Sequence, residues 1–449
     1  MSAVQSDGVR SRMGACEIAL ACSGKRYVHR SSHSCRMRFL AFLALLLPVW
    51  APACTAFILH EGGRTFVGNN EDSWCVDGRV RFVPGEVGRL GAVYFSSWRG
   101  HPYLPWSDQL GMNEAGLVFD GLTIQPKDVA PSPGKPPLEF SALTNRVLEQ
   151  CRDVPEAVAF LQAHDLIHLH KSMIFLADAQ GRYAVVQNDT ILMGDKPYFA
   201  VGNWRLHGGT DMDGIPIPRL QQGRALLKAG VAPTVDGAWS VLEGMRSCRK
   251  FLENGTFFST LFEPDSGRVH LAFYHDYDHR ITFDLREELQ KGAHTLHLPA
   301  LFPPNKAFQA LQAYRTPFHE RWLFHGLMVL GGAAVLWGFI LGVWVLVNAV
   351  RRSRRRPVRT SWPLVLAGLG LVALVGLVGV LLTLEQVFYF GLGDVHTALA
   401  ALPWFLLVVA VVLVLRLRWH RDERWPLMPA LVLVLPVLVG CAYWGLLWP

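Results

Sequence analysis

Cys54-Thr-Ala-Phe-Ile-Leu-His-Glu-Gly-Gly-Arg-Thr-Phe-Val-Gly-Asn-Asn-Glu-Asp72 is the stretch that decides how this chain folds. Two apolar runs flank Glu61-Gly62-Gly63-Arg64, and paired glycines in that setting signal a tight hairpin. A hairpin of this length brings Asp72 back beside Cys54, so a thiol and a carboxylate meet at its open end. The residues before Cys54 matter as much. Arg38 supplies a positive n-region, Phe39 to Val49 form an apolar run of 11 residues, and Ala51-Pro52-Ala53 is a small-x-small cleavage site. Eleven apolar residues are too few to span a bilayer comfortably. Cleavage after Ala53 makes Cys54 the first residue of the mature chain. Residues 1–36 are polar and basic and read as an over-extended frame or a leader, with Met37 as an alternative start. A Cys at this position also marks bacterial lipoproteins. Those usually carry Leu three residues earlier, where this chain has Ala51. An uncleaved anchor is the third reading.

An N-terminal cysteine brings its own chemistry. A thiol with a pKa of about 8.5 is mostly protonated at neutral pH and needs a base beside it. A released α-amino group, with a pKa of about 7.7–8.0, lies within reach of that thiol. One residue then supplies nucleophile and base, as in N-terminal Thr nucleophiles, and the carboxylate of Asp72 is suited to orient the amine.

The segment resembles the start of the choloylglycine hydrolase, acid amidase and isopenicillin N acyltransferase families, which are N-terminal nucleophile (Ntn) cysteine hydrolases. They begin Cys-Thr and carry Gly-Arg-Asn-x-Asp at the end of the hairpin. Here the motif is Gly68-Asn69-Asn70-Glu71-Asp72, so Asn69 stands in place of the family Arg, and the hairpin is one residue shorter. Gly111-Met-Asn-Glu-Ala-Gly-Leu-Val-Phe-Asp-Gly-Leu-Thr123 is similar to the family's Met-Asn-Glu-x-Gly-Leu stretch. In that family the loop after this stretch donates a backbone N–H to the oxyanion, and Thr123 stands where bile-salt hydrolases have Asn. Phe140 to Leu161 has apolar residues at helical spacing, like the family's helical layer. Ser172 to Gln187 alternates around Asp178-Ala-Gln-Gly181, a second hairpin. Tyr198-Phe-Ala-Val-Gly-Asn203-Trp204 resembles the segment whose Asn side chain completes the oxyanion hole, although Val-Gly-Asn is also good turn chemistry. Thr256-Phe-Phe-Ser-Thr-Leu-Phe-Glu-Pro-Asp-Ser-Gly-Arg-Val-His-Leu271 is similar to the late strand pair. Arg246 and Arg249 precede it, and either is a candidate for the family's active-site Arg or for a surface charge.

The rest of the chain is a membrane sequence. Of its 449 residues only 18% are charged, against about 25% in an average soluble domain. The deficit falls in the last third. Four apolar segments, Leu323 to Val350, Leu364 to Leu384, Ala398 to Leu415 and Leu427 to Leu447, are each about long enough to cross a bilayer. The loops Arg351 to Arg359 and Arg416 to Arg424 hold six and four arginines, whereas the loop between spans two and three has no Lys or Arg. The positive-inside rule puts the arginine loops in the cytoplasm and the Cys54 domain outside, where a signal peptide would send it. The formal charge of +7 therefore reflects topology, not nucleic-acid binding, and no RNA or DNA motif is present. Eight cysteines include no CxxC pair and no zinc spacing. Cys16, Cys22 and Cys35 fall in the leader. A disulfide between two of Cys75, Cys151 and Cys248, or free buried thiols, both fit.

The expectation is an α+β chain. A leader and signal peptide occupy 1–53, and a four-layer αββα Ntn-hydrolase sandwich occupies 54–298. A linker covers 299–322, and four transmembrane helices cover 323–449. The resemblance implies an amidase acting on linear, non-peptide C–N amide bonds of a small N-acyl substrate, or the related acyltransferase. Cys54, Asp72 and Asn203 are its catalytic residues. Thr123, Asn69, Asn70, Arg246 and Arg249 are candidates for the oxyanion or substrate site. It needs no cofactor or metal. The membrane location makes a lipid-like acyl chain a reasonable expectation. The rival is a catalytically inactive, membrane-anchored or lipidated binding or sensor protein on the same fold.

Overall fold

The computed structural model describes residues 54–98, 106–248, 252–353, 362–419 and 424–447. The signal peptide, the cut after Ala53, Arg249 and parts of both arginine loops lie outside these residues.

The opening stretch forms the hairpin read from it, with β1 (Thr55–Glu61) and β2 (Arg64–Ser73) paired from Thr55↔Asn70 to Glu61↔Arg64. Gly62 and Gly63 take φ of 62° and 75°. Two successive positive φ values are what a twist-matched two-residue hairpin turn demands, and glycine adopts them without steric cost. Gly68 answers a different need: a Cβ there would lie 2.2 Å from the Phe57 ring across the hairpin.

Four further strands follow: β3 (Gly78–Val83), β4 (Ala92–Trp98), β5 (Trp106–Asn113) and β6 (Val118–Thr123). The Met-Asn-Glu-x-Gly-Leu stretch is the β5–β6 turn. Asn113 ties it down by accepting from the Ala115 and Leu117 N–H groups and donating to the Leu148 and Cys151 carbonyls. The expected helical run over 140–161 is two helices, α1 (Phe140–Gln150) and α2 (Val154–Gln162). Asp153 caps α2 by accepting from the Glu156 N–H, and Pro155 sits in its first turn. A proline starts a helix readily but does not continue one from the preceding turn. Then come β7 (Ser172–Ala177), β8 (Tyr183–Val186), β9 (Ile191–Gly194) and β10 (Tyr198–Gly202), followed by helices α3 (Pro218–Lys228) and α4 (Val235–Met245). The late strands are β11 (Gly255–Glu263), β12 (Arg268–Phe273) and β13 (Asp276–Asp284). A short α5 (Leu285–Gln290) and β14 (His294–His297) close the domain.

The strands form two antiparallel sheets, ordered β10-β1-β2-β11-β12-β13 and β14-β3-β4-β5-β6-β7-β8-β9. Side-chain alternation assigns each face a partner. On β4, Val93 and Phe95 enter the core between the sheets, while Ala92 and Tyr94 join a second core with Leu143, Val147 and Leu148 of α1. Phe95 meets Phe258 and Phe262 of β11 at 5.9 and 6.0 Å between ring centres. Burying each such ring stabilises by roughly 1.5–3 kcal/mol. Helices α1 and α2 cover the eight-stranded sheet, and α3 and α4 cover the six-stranded one. The layers are therefore αββα.

After α6 (Lys306–Ala313) come α7 (Arg321–Ser353), α8 (Trp362–Thr383), the short α9 (Val387–Phe390) and α10 (Leu392–Val395), α11 (Thr397–Trp419) and α12 (Arg424–Tyr443). Four of these, α7, α8, α11 and α12, are long and apolar enough to cross a membrane. Their outward faces expose Val329, Phe339, Val372 and Val439 at 69–72%, an apolar surface that lipid would cover. The sandwich meets this bundle through α9. Trp74, just beyond β2, stacks on Tyr389 at 5.6 Å and sets its edge against Phe390, and Asn254 donates to the Tyr389 carbonyl at 2.9 Å. On the bundle side the Tyr314 hydroxyl donates to the Phe388 carbonyl at 3.0 Å.

Candidate active site

The ladders that make the six-stranded sheet also build the site. Thr55 pairs with Asn70 on one side and with Gly202 on the other. One residue further along both registers, Cys54 stands between Glu71 of β2 and Asn203 at the end of β10. The thiol donates to Glu71 Oε2 at 3.2 Å, and its sulfur lies 3.9 Å from the Asp72 carbonyl oxygen. Cys54 itself is 7% exposed.

Alternation divides the motif Gly68-Asn69-Asn70-Glu71-Asp72 between two faces. Asn69 and Glu71 turn toward the eight-stranded sheet, where Asn69 donates to Asp120 Oδ2 of β6 at 2.6 Å. Asn70 and Asp72 turn toward the helices. Asn70 donates to the Leu242 carbonyl of α4 and accepts from Ser259, which places it behind the site. Asp72 accepts from the Thr256 hydroxyl at 2.6 Å and faces the Arg219 guanidinium of α3 at 3.0 Å. Asn203 donates to the Thr123 carbonyl at 2.6 Å. A primary amide nitrogen carries two hydrogens, so that bond leaves a second one to offer. The loop behind it is clamped by Arg205, buried and bonded to the Gln125 carbonyl and to Asp189. Cys54, Glu71, Asp72, Asn203, Thr123 and Asn69 thus gather at one end of the sandwich. Arg246 turns instead to Glu243, at 3.0 Å, and to the Tyr277 ring, and it lines a surface cleft with Cys248, Tyr274 and His275.

The electrostatics are acidic. Burial pushes the Cys54 thiol well above its usual range, and Glu71, Asp72 and Asp120 add to that rise. Burial, and then the charge of Glu71, hold Asp120 well above the ordinary carboxylate range, against the bond from Asn69. Asp120 thus keeps its proton in the folded chain at pH values where the unfolded chain, near a pKa of about 3.9, has lost it. For a raised carboxylate, that contribution to stability is complete below the unfolded pKa and is lost as pH rises through the folded one. Asp120→Asn mimics the protonated form. Its melting temperature is expected to exceed that of the parent by a margin that widens from pH 4 to pH 8, read by paired thermal melts in detergent. A margin that narrows with rising pH would overturn the assignment.

Sequence reasoning passes over Glu71, Asp120 and Arg219. Glu71 occupies the variable position of a motif, and only the register shows that it faces the thiol. Asp120 carries a readable signal, a lone acid inside the apolar run Leu117-Val-Phe-Asp-Gly-Leu122. Arg219, at the start of α3, has none.

No family model matches this chain, and no curated protein matches its sequence. Among solved structures it is similar to penicillin V acylase from Agrobacterium tumefaciens, with a TM-score of 0.44 and 16% identity over 55% of this chain and 91% of that one. It is also similar to two variants of conjugated bile acid hydrolase from Clostridium perfringens, each with a TM-score of 0.41 and 15% identity. These alignments cover 56% of this chain and 98% or 97% of theirs.

Proposed function

We propose that this protein is a membrane-integral amidase that cleaves a linear amide C–N bond of an N-acyl substrate, or transfers the acyl group to a second amine. Its nucleophile is Cys54, released as the mature N-terminus by cleavage after Ala53. The observation that supports this most directly is the thiol of Cys54 in its strand ladder, with the amide of Asn203 on one side and a proton acceptor, Glu71, on the other. In this reading the sulfur attacks the carbonyl carbon. The free hydrogen of Asn203 Nδ2, with a backbone N–H near Thr123, holds the oxyanion. The leaving amine departs protonated, and water or an amine resolves the thioester. One well-aimed oxyanion donor is worth about 3–4 kcal/mol. The tie between Trp74 and α9 sets this end of the sandwich against the membrane bundle, which favours a substrate with a long acyl chain held at the bilayer surface. The positive-inside count puts the domain on the extracytoplasmic side.

The test begins with the intact mass of the purified membrane protein, followed by an iodoacetamide-type probe and peptide mapping. A chain starting at unmodified Cys54, together with hydrolysis of a long-chain N-acyl p-nitroanilide in mixed micelles, is the expected result. A diacylglyceryl adduct on Cys54, or a retained leader, would overturn it in favour of an anchored binding protein.

A further inference from the structure

We infer that Glu71 is a catalytic residue, the group that accepts the thiol proton of Cys54. This rests on the proposed role of Cys54 as nucleophile and assigns the proton traffic at that site.

Three observations carry it. The thiol already donates to Glu71 Oε2 at 3.2 Å. Glu71 is 2% exposed and enclosed between the sheets, where Asn69, two residues along the same face, is bonded to Asp120 at 2.6 Å. And Asp120 keeps its proton while Asp72 faces the Arg219 guanidinium of α3, so Glu71 is the carboxylate that the thiol meets. This environment disfavours a resting thiolate, so the sulfur loses its proton only as it attacks. The same carboxylate acts on the α-amino group of Cys54 once the leader is gone. Neighbouring negative charge favours the ammonium form, and an ammonium is an acid, not a base.

The roles then divide. As the C–S bond forms, the S–H proton passes to Glu71. The α-ammonium gives a proton to the departing nitrogen as the C–N bond breaks, which leaves the α-amine neutral. In the second half, the α-amine takes a proton from the attacking water. The C–S bond breaks, and the sulfur recovers its proton from Glu71. The sum is amide plus water giving acid plus amine, with both groups restored. On the same face of β2 as Glu71, Asn69 is bonded to Asp120 at 2.6 Å. An Arg at position 69 would introduce a cation here in place of a carboxamide.

The experiment compares the full-length processed protein with Glu71→Gln and Glu71→Asp. It reads the pH dependence of Cys54 alkylation by iodoacetamide alongside hydrolysis of the N-acyl p-nitroanilide. Glu71→Gln removes the acceptor and one of the charges that raise the thiol. Hydrolysis is expected to fall at least 100-fold in kcat with little change in KM, while alkylation at pH 7 rises at least threefold. Glu71→Asp keeps the charge, and it is expected to retain measurable turnover and the parent's alkylation profile. A damaged fold would also expose the buried thiol and speed its alkylation, so the comparison is made on variants that melt within 2 °C of the parent, and the parent-like alkylation of Glu71→Asp is the control. Hydrolysis by Glu71→Gln within threefold of the parent would overturn the assignment, as would Glu71→Asp being as inactive as Glu71→Gln. If the parent hydrolyses no N-acyl amide, the amidase reading fails. The alkylation profiles then still decide the proton contact, and an unchanged rate in Glu71→Gln would overturn that too.

Discussion

Cys54→Ala is expected to lower hydrolysis of an N-acyl amide by three or more orders of magnitude while the leader is still removed. The first half follows from the chemistry: without sulfur no thioester forms, and what remains is whatever oxyanion stabilisation and binding give to attack by water. Knock-outs of a nucleophile in comparable covalent enzymes leave a residue of that kind. The second half separates the two origins of an N-terminal Cys. Signal peptidase reads the small residues Ala51 and Ala53, and both are intact in the variant. A lipoprotein pathway reads the Cys itself, so Cys54→Ala would stop processing there. The checks are kcat on purified protein, the intact mass of the N-terminus, and a search for an acyl adduct on Cys54 in the parent. Retained turnover in Cys54→Ala would sink the nucleophile assignment, and a retained leader would point to lipidation. Stability is a weak confounder, because exchanging one small buried side chain for another removes little packing volume.

The hairpin shows what a sequence can carry. Gly62-Gly63 dictates the turn, the turn fixes the register, and the register brings the segment around Asp72 back to Cys54; each step is local. The four apolar helices are legible for a similar reason, since length and hydropathy depend on no partner. The two sheets follow from alternation. The break at 151–153 was available in Asp153 and Pro155. What local reasoning misses is which side of a strand faces which layer. Cys54, Asn69 and Glu71 point into the sandwich, and Asp72 points out to α3. For that reason Asp72 takes its contacts from Thr256 and Arg219, and Glu71 accepts the hydrogen bond of the thiol. Arg246 and Arg219 illustrate the limit. Both are arginines close to a helix end. Only the packing of α3 on the end of the six-stranded sheet brings Arg219 to the motif, and Arg246 is left at the surface beside Glu243.

That packing sets up the largest expected loss of stability in the domain. The Asp72 side chain is 2% exposed and that of Arg219 is 14% exposed, with 3.0 Å between them. Taking two charges out of water is costly, and their mutual attraction repays it only while both are present; removing one partner of a buried pair costs about 3–5 kcal/mol. Asp72→Ala is therefore expected to destabilise by about that amount, because it removes the anion opposite the guanidinium and the acceptor of the Thr256 hydroxyl. In a domain of this size 1 kcal/mol shifts the melting temperature by roughly 2–4 °C, so a fall on the order of 10 °C follows. Arg219→Met, which keeps the length of the stem and drops the charge, is expected to cost a comparable amount by removing the cation opposite a buried carboxylate. Combining Asp72→Ala with Arg219→Met removes both charges, and the double variant is expected to melt above the sum of its single effects, the signature of two groups that act on each other. Strictly additive shifts, or an Asp72→Ala chain melting within 2 °C of the parent, would show that the contact is incidental. The position of the pair makes the outcome matter for function. Asp72 is two residues from Trp74, where β2 meets α9, and two from Asn70, which fastens the strand to α4. A strand fixed at the membrane junction, at α3 and at α4 has little freedom left at Glu71, the residue between them that faces the thiol.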